Sequence, residues 1–188
     1  LEQERSVREN AIAAVNATIT TKGAQLSDAE KERTRLEKLL KAVEEAVANL
    51  KLPADYKEFA KRKGQMKWPV LGRISNSFGT PRTQGGMRWQ GVTLKAKSGN
   101  NVRAIHHGRV VFADWFGSSG LLIIVDHGED YMSLYAHNES LLRETGDWIR
   151  AGEPLATVGV SGGQMEPALY FEIRHNGKAI NPKYWIKK

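Results

Sequence analysis

The chain has 188 residues, 28 Lys and Arg against 21 Asp and Glu, and a formal net charge of +7. With no cysteine it can build neither a disulfide framework nor a thiolate metal site, and no run approaches the ~20 apolar residues of a membrane-spanning helix. Its basic residues form no stripe with interleaved aromatics, which sets nucleic acid aside as a partner. A basic surface suits an acidic partner, acting mainly through encounter rate.

Residues 1–63 carry 13 Lys/Arg and 11 Asp/Glu, interspersed, and Gly23 and Pro53 are almost their only turn residues. The chain opens at Leu1-Glu2-Gln3-Glu4-Arg5 inside a helical pattern, without an apolar signal segment; the expectation is a piece or processed form of a longer protein. Ile12, Val15 and Ile19 make a short apolar stripe, and Leu36, Leu40, Val43, Val47 and Leu50 a longer one at spacings of 4, 3, 4 and 3. Ser27-Asp28-Ala29-Glu30 has capping-box spacing and predicts a second helix starting there. Residues 20–25, with Gly23, then read as a turn, favoured over an irregularity in one long helix. Pro53 stops or kinks that second helix, and Tyr56, Phe59 and Ala60 predict one more helical turn. So narrow a stripe on a charged helix needs a partner, either another helix or the domain that follows. Lys61-Arg62-Lys63 reads as a solvated linker.

From Trp68 onward the periodicity shortens to strands of five to eight residues between glycine turns. They are predicted at Val102–Ile105, Gly108–Asp114, Leu121–Asp126, Tyr131–Ala136, Pro154–Val158 and Leu169–Arg174. The continuous apolar run Leu121–Val125 predicts a strand covered on both faces. The reading is therefore an α+β chain of two parts: a helical coiled-coil arm over 1–63, either a piece of an ordinary coiled coil or a regulatory element packed on the domain, and a mostly antiparallel β-sheet domain over 64–188.

Three catalytic patterns are weak. Gly159-Val160-Ser161-Gly162-Gly163 matches a nucleophile elbow, but a strand rather than a helix follows it. His106-His107 in a strand would point to opposite faces and could not chelate together. His127 and His175 sit beside turn residues and read as solvated.

Four stretches carry a resemblance: Arg88-Trp89-Gln90-Gly91-Val92-Thr93, Ser133-Leu134-Tyr135-Ala136-His137, Pro167-Ala168-Leu169-Tyr170-Phe171-Glu172 and Asn181-Pro182. In that order, from about Trp68 to Trp185, the chain resembles the LytM-type (lysostaphin-like) zinc endopeptidases. Their pattern is His-x-Gly-x-Asp, Tyr-x-His, then His-x-His before Phe-Glu. Here Trp89 stands for the first His, Thr93 for the Asp, and Ala168 and Tyr170 for the paired histidines; only His137 survives. Catalytic zinc takes three ligands of the His, Asp, Glu or Cys type and leaves a position for water. The resemblance thus implies a degenerate domain without zinc or other cofactor, and no hydrolysis by this route.

The scaffold landmarks Phe78-Gly79, Gly108-Arg109-Val110 and Gly146-Asp147 through Gly152 are kept. Together with the arm and the Arg-Trp-x-Gly and Leu-Tyr-Phe-Glu-Ile-Arg segments, they resemble the EnvC-type division activators of Gram-negative bacteria. What that implies is a periplasmic, septal, non-enzymatic activator of zinc-dependent N-acetylmuramoyl-L-alanine amidases, with a membrane transporter-like complex engaging the coiled coil. A module that binds peptidoglycan without cutting it, or an active endopeptidase, are the alternatives. Tyr, Trp and Arg anchor interfaces most often, so Trp89, Tyr135, Tyr170 and Arg174 are the expected groove anchors. Gln90 and Thr93 are placed on one strand with Trp89, Ser119 and Leu122 in and after an overhanging loop, and His137 and Ala168 at former catalytic positions.

Overall fold

The computed structural model describes residues 27–47, 58–82 and 86–187. The chain divides into two compact units, Leu1–Leu39 and Leu40–Lys188. Residues 27–47 are helical (α1), matching the second helix predicted to start within residues 27–30 and to carry the stripe over 36–50, as far as described residues reach. Ser27 is already helical, so a capping role for it is not seen. Exposed ion pairs, Asp28–Lys31 and Glu32–Arg35, decorate the first turns, while Leu40 and Val43 are buried. Among the described residues α1 is the only α-helix; the expected coiled-coil pairing, the 20–25 turn and Pro53 lie outside them.

The second unit is a sheet of ten strands in the order β1-β2-β9-β6-β5-β4-β7, with β10 on β9 and with β3 on β8, which pairs with β6. The strands are β1 (Arg73–Asn76), β2 (Val92–Lys95), β3 (Asn101–Arg103), β4 (Gly108–Trp115), β5 (Leu121–Asp126), β6 (Tyr131–Leu141), β7 (Trp148–Ile149), β8 (Pro154–Val158), β9 (Ala168–His175) and β10 (Lys178–Ile180). All pairs are antiparallel. As its unbroken apolar run requires, β5 is central and buried along nearly its whole length. One face, with Val92, Tyr135, Phe171 and Ile123, packs on Phe59, Trp185 and Ile186 to make the main core.

β6 carries the bend that shapes the site. Along β5 the pairing passes from Ile123↔Tyr135 to Leu121↔Asn138, so β6 spends one residue more than its partner there. That bulge holds His137 at φ +66°, a left-handed conformation costly for a residue with a Cβ.

Close strand approach is enforced at Gly91, where an added Cβ would lie 2.3 Å from Phe171 O and 2.9 Å from Tyr170 Cζ. Gly91→Ala is therefore expected to push β2 off β9 and lower stability by about 1–3 kcal/mol, the usual cost of overpacking. Urea unfolding checks it, and an unchanged midpoint would show that the contact is slack.

Candidate functional site

Four of the positions that replace the metallopeptidase pattern come together. Thr93 on β2 and Ala136 on β6 flank Tyr170 on β9 as direct cross-strand neighbours. The Tyr170 ring lies 6.0 Å from Trp89 and 6.5 Å from His137 between centroids. Ala168, two residues before Tyr170 on the same face of β9, is buried. Arg82 lies over the Trp89 ring at 4.6 Å, a cation–π contact, and Asn76 donates its amide to Thr93 Oγ1 at 3.3 Å.

Trp89 is not on a strand with Gln90 and Thr93, as the sequence suggested. Its N–H donates to Thr80 O and its O accepts from Gly79 N, so it belongs to a loop that folds back before β2 begins at Val92. Gln90 follows it in a bend and is half-buried.

Within the cluster the Tyr170 phenol and the His137 ring are held in place and neutral. Tyr170 donates its hydroxyl to Glu172 Oε2 at 2.7 Å; burial and the adjacent carboxylate hold its pKa well above the phenol range. Glu172 Oε1 in turn accepts from Arg174 at 2.7 Å. His137 Nδ1 lies 2.9 Å from Ser161 O. A carbonyl only accepts, so Nδ1 carries the proton and Nε2 is a bare acceptor; burial lowers the pKa of the ring and keeps it neutral.

This donor set does not fit zinc. Trp89 and Ala168 offer no lone pair, the Thr93 hydroxyl is engaged by Asn76, and the Tyr170 phenol is kept protonated by Glu172. Among the described residues no group of three or more His, Cys, Asp or Glu is placed to hold a metal ion.

Other expected site residues fall elsewhere. Tyr135 is completely buried on the opposite face, paired with Phe171, its hydroxyl accepting from Ile105 N and hydrogen-bonded to Ser133 Oγ; it is a core residue and not a groove anchor. Arg174 is also buried, bound to Glu172 and to Gly177 O, and holds the sheet face that carries Tyr170. Leu122 is buried at 1% exposure on that same face. Ser119 sits half-buried in the 3-10 turn Gly117–Ser119.

Sequence reading missed Arg82, Asn76, Glu172 and the role of Ser161. Glu172 had a signal, since residues 170, 172 and 174 share a strand face at period two. Ser161, weighed as a nucleophile, is a brace: its Oγ accepts from Leu121 N at 2.9 Å while its O holds His137.

The histidines away from the cluster also depart from expectation. His127 is buried, with Nδ1 on His107 O and Nε2 on Ser133 Oγ, and stacks on Phe59 at 4.7 Å. His106 lies in a bend and His107 in the irregular residue before β4, neither in a strand, with ring centroids 3.8 Å apart. His175 stacks on Tyr131 at 3.9 Å.

An antiparallel sheet with aromatic, hydroxyl and methyl groups at the ligand positions defines the class: a metallopeptidase fold with a rewritten site. Residues 87–182 match the model of peptidase family M23, and the chain belongs to that family. It is 48% identical over 124 residues to Murein hydrolase activator EnvC of Escherichia coli (strain K12), covering 66% of this chain and 29% of that one. It is 38% identical over 121 residues to Murein hydrolase activator NlpD of the same strain, covering 64% and 31%. The chain thus spans about 30% of the length of these relatives. The catalytic domain of lysostaphin from Staphylococcus simulans superposes with TM-score 0.53 at 26% identity, covering 59% of this chain and 89% of that one.

Proposed function

We propose that this chain is a non-catalytic activator of zinc-dependent N-acetylmuramoyl-L-alanine amidases, working in the periplasm of a Gram-negative cell at the division septum. The observation that carries the reading is the cluster of Trp89, Thr93 and Tyr170 at replaced positions, beside His137 and Arg82, where a polar metal cleft has become an amphipathic surface. Relatives named as murein hydrolase activators support it.

The mechanism is a population shift. The activator favours an open amidase only by as much as it binds that state better than the closed one, so the free energy comes from groove contacts. Trp89 and Tyr170 supply apolar area, and His137 Nε2 supplies an acceptor for a donor on the partner.

Residues 28–50 form the element proposed to cover the groove and restrain it, with a transporter-like membrane complex acting through the arm to release it. Support comes from burial: Leu40 and Val43 of α1, and Leu122, Ile124 and Leu134 on the sheet face that bears Tyr170, are all shielded from water. Glu44 also lies 3.5 Å from where a Cβ on Gly177 would sit.

Dye release from labelled peptidoglycan tests the reading, with this chain alone, the amidase alone and the mixture. Release is expected only from the mixture, and Tyr170→Ala or Trp89→Ala should cut it at least about tenfold, the effect of losing an interface anchor. Release by the chain alone would overturn it. Retention on sacculi without any stimulation of the amidase would favour a peptidoglycan-binding module. Deleting residues 1–50, which keeps the core residue Phe59, should raise stimulation; no change would count against restraint by the arm.

A further inference from the structure

A second concavity, sharing no residue with the aromatic cluster, opens between residues 62–71, β3 and the turn at Gly152, with a volume of about 820 Å³. Four cations line it, Arg62, Lys67, Arg103 and Lys187, and no Asp or Glu does among the described residues. Trp68 and Leu71 give it apolar walls, and Leu71 stands 90% exposed.

His106, which also lines the cleft, is 3% exposed. Its Nδ1 lies 3.1 Å from His107 O and must donate there. That leaves Nε2 as a lone-pair acceptor, and it has no hydrogen-bond partner among the described residues. Leaving a buried acceptor unfilled is costly. A proton does not fill it at neutral pH, because burial pushes the His106 pKa down to about 4. Arg62 is near enough for its charge to act on His106, and it donates to Gln65 Oε1 at 3.0 Å on the same wall.

The cleft therefore calls for carboxylates, some apolar body and an N–H donor in one ligand. A phosphate ester brings the charge without the donor; a short acidic peptide brings both. The volume falls within the ~300–1,000 Å³ of small-ligand clefts, enough for a few residues and too small for a folded partner. We propose that this cleft binds a short acidic peptide, and that its source is the carboxylate-bearing stem peptide of murein. The cleft stands on its own geometry; only the choice of murein as source rests on the activator reading. Binding there would hold the activator on the polymer while the groove remains free.

The test is calorimetric titration of the full chain with synthetic Ala-γ-D-Glu-diaminopimelate-D-Ala. An acidic peptide of ordinary L-residues, inorganic phosphate and phosphatidylglycerol vesicles are titrated alongside. Lys67→Glu combined with Lys187→Glu changes only exposed side chains and should weaken the murein peptide at least about tenfold, with salt weakening the wild type similarly. Tyr170→Ala should leave it unchanged. No binding, or binding indifferent to the lysine pair, overturns the proposal, and loss in Tyr170→Ala assigns the peptide to the groove instead. Equal response to vesicles or phosphate makes the cleft a phosphate site, and preference for the L-peptide makes it a protein-docking site; either overturns the murein assignment. Amidase stimulation, measured separately on the same variants, shows whether the activator reading fails independently.

Discussion

Acidification from pH 6.5 to 5 is expected to lower the unfolding free energy of the sheet domain by about 3 kcal/mol, since each of two histidines contributes about 0.7 kcal/mol per pH unit at the unfolded pKa, rising to about 1.4 below it. His127 and His106 are buried, and burial pushes their pKa values down to about 3 and about 4 from 6.5. Between 6.5 and those values the unfolded chain takes up protons that the folded chain refuses. Their stabilisation is therefore complete above pH 6.5 and is lost as pH falls through the window. His137, also lowered by burial, adds in the same direction. Asp126 acts oppositely, because burial raises its carboxyl and favours the protonated folded form. Urea unfolding at pH 7 and pH 5 measures the slope. An unchanged midpoint would mean that the histidines are reached by solvent; His127→Gln should flatten the slope by about half.

Arg174→Ala should cost about 3–5 kcal/mol, because it strands a buried carboxylate. Side-chain exposures of Arg174 and Glu172 are 3% and 1%, and Arg174 also donates to Gly177 O. At the usual ~2–4 °C per kcal/mol for chains of this size, the melting temperature should drop by roughly 10 °C. Glu172→Gln together with Arg174→Met should lose much less, since no charge is left buried. Loss of amidase stimulation in Arg174→Ala would then report unfolding, and Tyr170→Ala is the cleaner probe of the groove. A variant that melts like the wild type yet fails to stimulate would restore Arg174 as a contact residue.

The parts of the fold written as continuous patterns were legible in the sequence. Leu121–Asp126 and Pro154–Val158 are strands at the predicted bounds; in the first, five apolar residues in a row leave few alternatives. β1, β7 and β10, two to four residues each, were not, because they exist by pairing with neighbours distant in sequence. β6 runs to Leu141, past the predicted Ala136. In the site, Trp89, Thr93, Ala168 and Tyr170 were found by matching a motif. Tyr135 was misplaced because nothing in Tyr-Ala-His reveals the extra residue at His137 that resets which face each side chain takes. His127 looked like a turn residue because its cover, Phe59, comes from a segment 68 positions earlier. The family pattern locates positions; it does not report that Glu172 would bind both Tyr170 and Arg174.

Ser161 joins the loop that ends at Leu121 to the bulge at His137 through two hydrogen bonds. At Gly120 the backbone approaches so closely that an added Cβ would sit 2.2 Å from Ser161 Oγ. A rim tied in this way has little freedom left to lose when something docks beside it, so the ordering penalty of association is small. Groove substitutions that leave Ser161 in place should then barely change the association rate and should shorten the residence time of the complex. Ser161→Ala, by loosening the rim, should slow association while sparing every side chain that touches the ligand.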